Sequence, residues 1–373
     1  MIELRTVVDY HARMLGDHAR VEQFERAIAA TVRPGAVVAD LGCGTGILSL
    51  LCCRAGARRV YAMEVGPIGR WTEQIIAANG FSDRVSVLRG VSTELSLPEK
   101  VDVVVSETIG CAAFDEGIVG YVADARRRFL APGGAIIPRR LALWAAPVSD
   151  TDLHHRLIGC WRERVRGADV SPMRAIAARQ LHLSSFVPEQ LCAPPRPLIT
   201  VDLAGTEEAF IAGRAEFSLE REGPVTGFAI GFDAELGEGI ELSNRPPSAA
   251  PHWSHGFLAF EEPLPAQIGD GVQVEIGTRD GQTWRWRGRV GQRAFDLDTL
   301  TGRSLSREEL AGDQGRPTLG PQGRTTAATL ALIDGKRTVA EIARALWQSP
   351  DTALPSEAAT RAFVDRLAHD LGR

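Results

Sequence analysis

The chain has 373 residues with 42 basic against 47 acidic side chains. That length allows two or three domains, and the charge gives no positive excess to drive binding along a phosphate backbone, so nucleic acid is not an expected partner. Six cysteines without paired spacing argue against a disulfide frame or a metal site and suit a reducing cytoplasm, and no signal core or apolar run of ~18 residues is present, so a soluble cytoplasmic protein with no membrane segment is expected.

In chain order, an N-terminal helical segment leads into residues Val37 to Pro138, where short apolar strands alternate with helical stretches. These read "AVVADLG", "ILSLLCCRAGA", "RVYAMEV", "IGRWTEQIIAANG", "RVSVLRG", "VDVVVSE" and "GYVADARRRFLAPGG". Continuous apolar strands separated by helices predict a parallel sheet covered on both faces, a doubly wound, Rossmann-like α/β domain over residues 1–138. After "AIIPRR" the texture changes to alternating segments such as "RAEFSLERE", "VTGFAIGFDAEL", "HGFLAFEE", "VQVEIGT" and "WRWRGRV". Period-two alternation predicts an antiparallel β-barrel or sandwich over 139–293, interrupted by a helical insert at about 151–192. From about Ala294 the link "AGDQGRPTLGPQGR" leads into two or three amphipathic helices with a tight Asp334–Gly335 turn, a small C-terminal helical domain over 294–373.

The stretch "VVADLGCGTG" sets Asp40 at a strand end and Gly42, Gly44 and Gly46 in the turn before a helix, where backbone can approach a ligand closely. The next strand ends in Glu64, placed to accept hydrogen bonds from ribose hydroxyls. The spacing is one residue tighter than the dinucleotide fingerprint, so a nicotinamide site fits less well, and a plain tight turn with a solvated Glu is the bland alternative. With its strand-end acid, the pattern resembles the S-adenosyl-L-methionine site of class I methyltransferases.

The strand "VDVVVSE" runs into "SETIGCAAFDEG", whose loop is small and apolar but for Glu107, Asp115 and Glu116. This run resembles the double-Glu loop of the protein arginine methyltransferases, in which two glutamates nine apart hold the substrate guanidinium. "HARMLGDHAR" is similar to that family's helix before the cofactor fold, matching at His11, Met14, Leu15, Asp17 and Arg20. "APHWSHGFLAFEEPLPAQIGD" resembles its threonine-histidine-tryptophan loop at His252 and Trp253, and "GADVSPMRAIAARQLHLSSFVPEQL" its helical dimerisation arm. The resemblance spans roughly residues 8 to 290. It implies a homodimer that uses S-adenosyl-L-methionine, with Glu107 and Glu116 on the guanidinium and His252 with Asp17 as proton relay. It further implies Arg20 on the cofactor's carboxylate, Met14 crowding the methyl-transfer channel and Thr93 where the family has an acid at the adenine amine.

A guanidinium is planar, always charged and a poor nucleophile in water, so paired carboxylates are the residue type that would fix its plane and stabilise growing positive charge. Blander readings stay beside these: a capping acid and a surface acid, a core histidine beside Trp253, a solvated Arg20, and Met14 as packing. Asp115 and Arg126–Arg128 read as solvated. The chain departs from the family in lacking its upstream aromatic segment, with only Tyr10 nearby. It also carries Thr108 after the first loop glutamate and Thr93 beside Glu94.

"ALIDGKRTVAEIARAL" resembles the small winged-helix domains of the PqqD family, which bind leader peptides during ribosomal peptide modification; a helical cap is the alternative. The expected activity is therefore methyl transfer to an arginine guanidinium in a peptide or natural-product precursor. A small-molecule methyltransferase acting on free arginine or another guanidine or amine, and a catalytically silent peptide-binding scaffold, are its rivals.

Overall fold

The computed structural model describes residues 2–206, 211–247, 252–278, 281–299, 321–349, 354 and 356–371. Two helices open the chain, α1 (Ile2–Gly16) and α2 (His18–Thr31). The break falls at Asp17, whose carboxylate accepts the Arg20 amide at 3.0 Å and so caps α2. α2 buries Phe24, Ala27 and Ile28.

Then follow β1 (Val37–Leu41), α3 (Ile47–Arg54), β2 (Arg59–Glu64), α4 (Gly69–Ala78), β3 (Val85–Arg89), β4 (Val101–Ser106), α5 (Ile118–Arg128) and β5 (Leu130–Ile137). The strands form one parallel sheet in the order β3-β2-β1-β4-β5. Every residue of β1 is buried, as strands covered by helices on both faces must be. The strand order reverses beside β1, and ligands bind doubly wound sheets at such a switch point, outside the carboxyl ends. Register makes this exact for three residues: Leu41 pairs with Met63 on one side and with Ser106 on the other. The next residue of each strand is Gly42, Glu64 and Glu107, so all three emerge in one row at the same sheet edge.

The second half is antiparallel. β6 (Arg140–Val148), β9 (Leu181–Ser184), β10 (Arg196–Asp202), β12 (Val225–Gly237), β13 (Ile240–Ser243) and β14 (His255–Leu264) form a six-stranded sheet. β11 (Ile211–Ser218), β15 (Gly271–Thr278), β16 (Trp284–Val290) and β17 (Arg293–Asp298) form a four-stranded one. One buried cluster runs from Phe24 and Val104 through Phe228 and Phe232 to Trp284 and Trp286, so a boundary at 138 separates sheets but not cores. β17 continues its sheet past residue 293.

The predicted insert at 151–192 is only partly helical. α6 (Thr151–Leu157) and α7 (Pro172–Ala177) flank a hairpin of β7 (Arg164–Val165) and β8 (Ala168–Asp169), and β9 pairs with β14. Arg166 and Gly167 both take positive φ, as a two-residue hairpin turn demands.

The chain divides into two units, residues 1–302 and 303–373. The second contains α8 (Pro321–Leu332), α9 (Val339–Trp347) and α10 (Glu357–Leu371), with Ile342, Ala343, Leu346 and Val364 buried. Asp334 accepts the amides of Lys336 and Arg337 in the predicted turn, and Thr338 and Glu341 form a reciprocal cap on α9. Residues 311–320 of the predicted link lie outside the described residues.

Candidate active site

A cavity of about 500 Å³ opens at the carboxyl edge of the parallel sheet. Of the residues singled out from sequence, Met14, Arg20, Gly42, Gly44, Glu64, Glu107 and Glu116 line it, so both loop acids share one space with the glycine turn. Gly42 and Gly44 have φ of +68° and +55°, and a Cβ on Gly42 would stand 2.8 Å from the Thr108 methyl. The turn therefore needs glycine both for its conformation and to keep the cavity clear. Glu64 accepts the Gly44 amide at 2.8 Å and the Gly66 amide, which fixes its carboxylate at the cavity wall.

Five other candidates stand outside the wall. Gly46 caps α3 with φ +83° and packs on Thr72 and Ile76. Asp40 is fully buried beneath the turn, where burial pushes its carboxyl up to about 7 while the Ser49 hydroxyl donates to it at 2.6 Å. Thr93 is exposed; Gly90, Val91 and Ser92 furnish that part of the wall instead. His252 and Asp17 lie behind Arg20: Nδ1 of His252 meets Asp17 Oδ2 at 2.6 Å, and Asp17 Oδ1 holds the Arg20 amide. Burial lowers the His252 pKa against the pull of Asp17, so the ring is neutral with its proton on Nδ1.

Asp17 thus serves two partners, and two variants separate them. Asp17→Asn is expected to keep the helix cap, and Asp17→Ala to lose about 1 kcal/mol of stability with it. Both remove the anion that fixes the His252 tautomer. Thermal unfolding reads the first effect and the imidazole nitrogen shifts of His252 the second.

The Arg20 guanidinium, expected on the cofactor carboxylate, is engaged here by Glu107 and by the Met14 carbonyl at 3.0 Å. Burial nevertheless outweighs this ion pair and pushes the Glu107 carboxyl up to about 8, with Glu116 adding to the rise. Glu116 has an open face toward water yet is surrounded by protein on most sides; burial and then Asp115 push it up to about 7, and its exposure works against that rise. Tyr10 interacts with Glu116, and Tyr10 and Tyr121 both line the cavity.

The loop between the two acids is held from the antiparallel half. Trp253 Nε1 donates to the Ile109 carbonyl at 2.8 Å, Asn244 Nδ2 to that of Cys111 at 3.1 Å, and Gln282 to that of Asp115. A Cβ at Gly281 would collide with the Phe114 carbonyl, so the backbones touch there. Within the loop Ala113 takes φ +65°, a strained conformation for a residue with a side chain.

Two residues read as solvated are structural. Asp115 accepts the Ala112 amide at 2.8 Å and packs on Gly110, where no Cβ would fit. Arg128 pairs with Asp124 and donates to the Ser92 and Leu95 carbonyls at 2.7 and 2.5 Å, supporting the Gly90–Ser92 wall. Asn244 and Gln282 carried no sequence signal beyond being turn residues.

Known proteins share this arrangement of segments. A family described as "Arginine methyltransferase oligomerization subdomain" matches residues 139–291, and one described as "Ribosomal protein L11 methyltransferase (PrmA)" matches 15–137. "Protein arginine N-methyltransferase 1" of Dictyostelium discoideum is 31% identical over 278 residues, 72% of this chain and 80% of the relative. "Arginine N(omega)-methyltransferase" of Streptomyces achromogenes subsp. streptozoticus is 32% identical over 289 residues, 75% of this chain and 78% of the relative. The "Probable protein arginine N-methyltransferase 6" of Arabidopsis thaliana reaches 36% identity over 238 residues, 61% of this chain and 54% of the relative's length. In fold the chain is similar to a Trypanosoma brucei "PRMT1 enzyme-prozyme heterotetrameric complex with AdoHcy", with a TM-score of 0.71 at 24% identity over 77% of this chain and 96% of that one. Identity above 30% across more than two thirds of two relatives, on a sheet edge that carries both acids and the glycine turn, places the chain in the protein arginine N-methyltransferase family.

Proposed function

We propose that the protein transfers a methyl group from S-adenosyl-L-methionine to a guanidinium nitrogen of arginine. The observation that carries this reading is the single cavity joining Glu107 and Glu116 to the Gly42–Gly44 turn and Glu64. The residues fit the cofactor: an open glycine cradle, an acid fixed beside it at a parallel-sheet switch point, and Met14 on the wall of the same cavity. When bound, S-adenosyl-L-methionine supplies an electrophilic methyl on a sulfonium.

Glu107 and Glu116 bind the guanidinium plane, orient one nitrogen and favour the positive charge gathering on it. With the cofactor bound, a nitrogen–carbon bond would form as the sulfur–carbon bond breaks, and the nitrogen's proton would leave. In the ligand-free protein burial pushes the two carboxyls up to about 8 and about 7, and a carboxylate of the pair in its ionised form is placed to accept that proton. Asp17 and His252 hold the start of α2, and through it Arg20, against Glu107; a relay through His252 would have to pass by that route.

The printed names of the relatives cover both protein arginine and arginine as acceptor. We favour a peptide or natural-product precursor, because the C-terminal unit carries the segment that resembles PqqD-like leader-peptide domains. A cavity wall with Thr108 in place of an aromatic residue also suits free arginine or another guanidine. The homodimer is supported by the oligomerisation subdomain and by Val165, Met173, Ile176, Leu183 and Val187, apolar side chains exposed on and beside the arm. Among the described residues no helix is long and apolar enough to cross a membrane.

Incubation of the enzyme and cofactor with arginine peptides and with free arginine, followed by mass spectrometry, tests the proposal. A mass gain of one or two methyl groups confined to guanidine nitrogen is expected. Methylation only of amines or hydroxyls would overturn it.

A further inference from the structure

Asn244 is buried, and both ends of its amide are fully used. Its oxygen accepts the Phe232 amide at 2.7 Å and the Trp144 indole N–H at 3.2 Å. Its nitrogen donates to the Cys111 and Ser254 carbonyls, both at 3.1 Å. Turning the amide over would set donors against donors, so its orientation is fixed by these partners. An apolar residue would leave all four partners unpaired, and of the four bonds the donor to Cys111 is the one that reaches the acidic loop. That carbonyl lies midway between Glu107 and Glu116 and two residues before the strained Ala113. Trp253 and Gln282 hold the loop nearer its ends.

The main chain of Asn244 is tied in turn to the arm. Nε2 of His255 meets the Asn244 carbonyl at 2.6 Å, and Nδ1 accepts the Phe186 amide at 2.9 Å, so the proton sits on Nε2. The ring stacks on Phe186 with centroids 5.9 Å apart and meets Trp144 edge-on at 5.5 Å. Neighbouring groups leave no slack: a Cβ at Gly231 would stand 2.3 Å from both the Asn244 oxygen and the Trp144 ring. The path Phe186–His255–Asn244–Cys111 is therefore continuous from the arm to the acidic loop.

We propose that Asn244 is a positioning residue for the two acceptor carboxylates and that His255 ties it to the arm, so that arm packing and loop geometry are linked. The kinetic part of this proposal rests on the methyl-transfer reading above; the structural part does not.

The test uses the full-length enzyme. Asn244→Asp keeps both acceptor contacts and removes the donors to Cys111 and Ser254. Amide exchange over residues 109–115 is expected to quicken about tenfold or more, as when a local opening becomes easier. Acceptor kcat/KM is expected to fall at least about thirtyfold while affinity for S-adenosylhomocysteine stays within about twofold of the parent. His255→Gln, which retains an acceptor and a donor, should stay within about threefold of the parent, and His255→Leu should follow Asn244→Asp.

Parent-like exchange and kinetics in Asn244→Asp would overturn the proposal, as would a loss of cofactor affinity in step with activity. Where Asn244→Asp fails to fold, the two His255 variants decide: a difference between them supports the link, and equal behaviour sinks it. If the parent itself methylates no guanidine, the functional reading fails while loop exchange still judges the positioning role.

Discussion

Glu107→Gln is expected to lower kcat for guanidine methylation by about 10²–10³-fold, the scale seen when one preorganised electrostatic partner of a transition state is removed. The amide matches the carboxylate in shape and still accepts a hydrogen bond from Arg20, so the cavity should remain intact. What it lacks is the anion that fixes a planar cation from two sides and stabilises charge as the methyl arrives. Because Glu107 lies at the acceptor side of the Met63–Leu41–Ser106 row, two strands from Glu64, cofactor affinity is expected to stay near the parent's. Calorimetric titration with S-adenosylhomocysteine, run beside single-turnover methylation, separates the two terms. Retention of parent kcat in the Gln variant would remove the carboxylate pair from the mechanism.

The second large effect is in pH. Both loop carboxyls titrate above the usual carboxylate range in the ligand-free protein, Glu107 at about 8 and Glu116 at about 7. Only the doubly ionised form offers the full anionic grip. Acceptor kcat/KM at saturating cofactor is therefore expected to fall by at least about tenfold as pH drops from 8 to 6. The limiting slope of two protons belongs to the pair, and assigning either proton to one side chain is a choice of microstate.

Stability runs the other way. A carboxyl whose folded pKa is raised makes its full contribution below the unfolded value near 4.5, and that contribution is lost as pH rises through about 8. Relative to the parent, the Gln variant should thus gain thermal stability between pH 5 and 9. A flat pH–rate profile from 6 to 8, or a Gln variant whose relative stability falls over that span, would contradict the raised pKa values.

The parallel domain was legible because its strands are short, nearly continuous apolar runs such as Val101–Ser106, buried in all but one position. The two glutamates were legible because little else in their loop is polar. The supports of that loop were not. Asn244 in "LSNRPP" and Gln282 after a glycine read as ordinary turn residues, and their partners lie 133 and 167 positions away in sequence. Asp115 and Arg128 were misread for the same reason, since a charge in a loop or a helix's last turn is usually solvated. The arm read as a helical insert that resembles the family's dimerisation arm, whereas Gly167 turns a hairpin and Pro172 starts a helix of only six residues. β17 was lost beside the glycine-rich link because its six residues give too short a run of alternation.

The pegging of the acidic loop by Trp253, Asn244 and Gln282 also sets an order of events at the ribosome. The last strand of the parallel sheet has been made by residue 138, but the last peg arrives some 140 residues later, roughly 10–30 s at ordinary rates of synthesis. During that interval a nascent chain owns a cofactor cradle without a finished acceptor grip. A translation arrest in this window would leave the parallel sheet without the antiparallel half that completes its buried core.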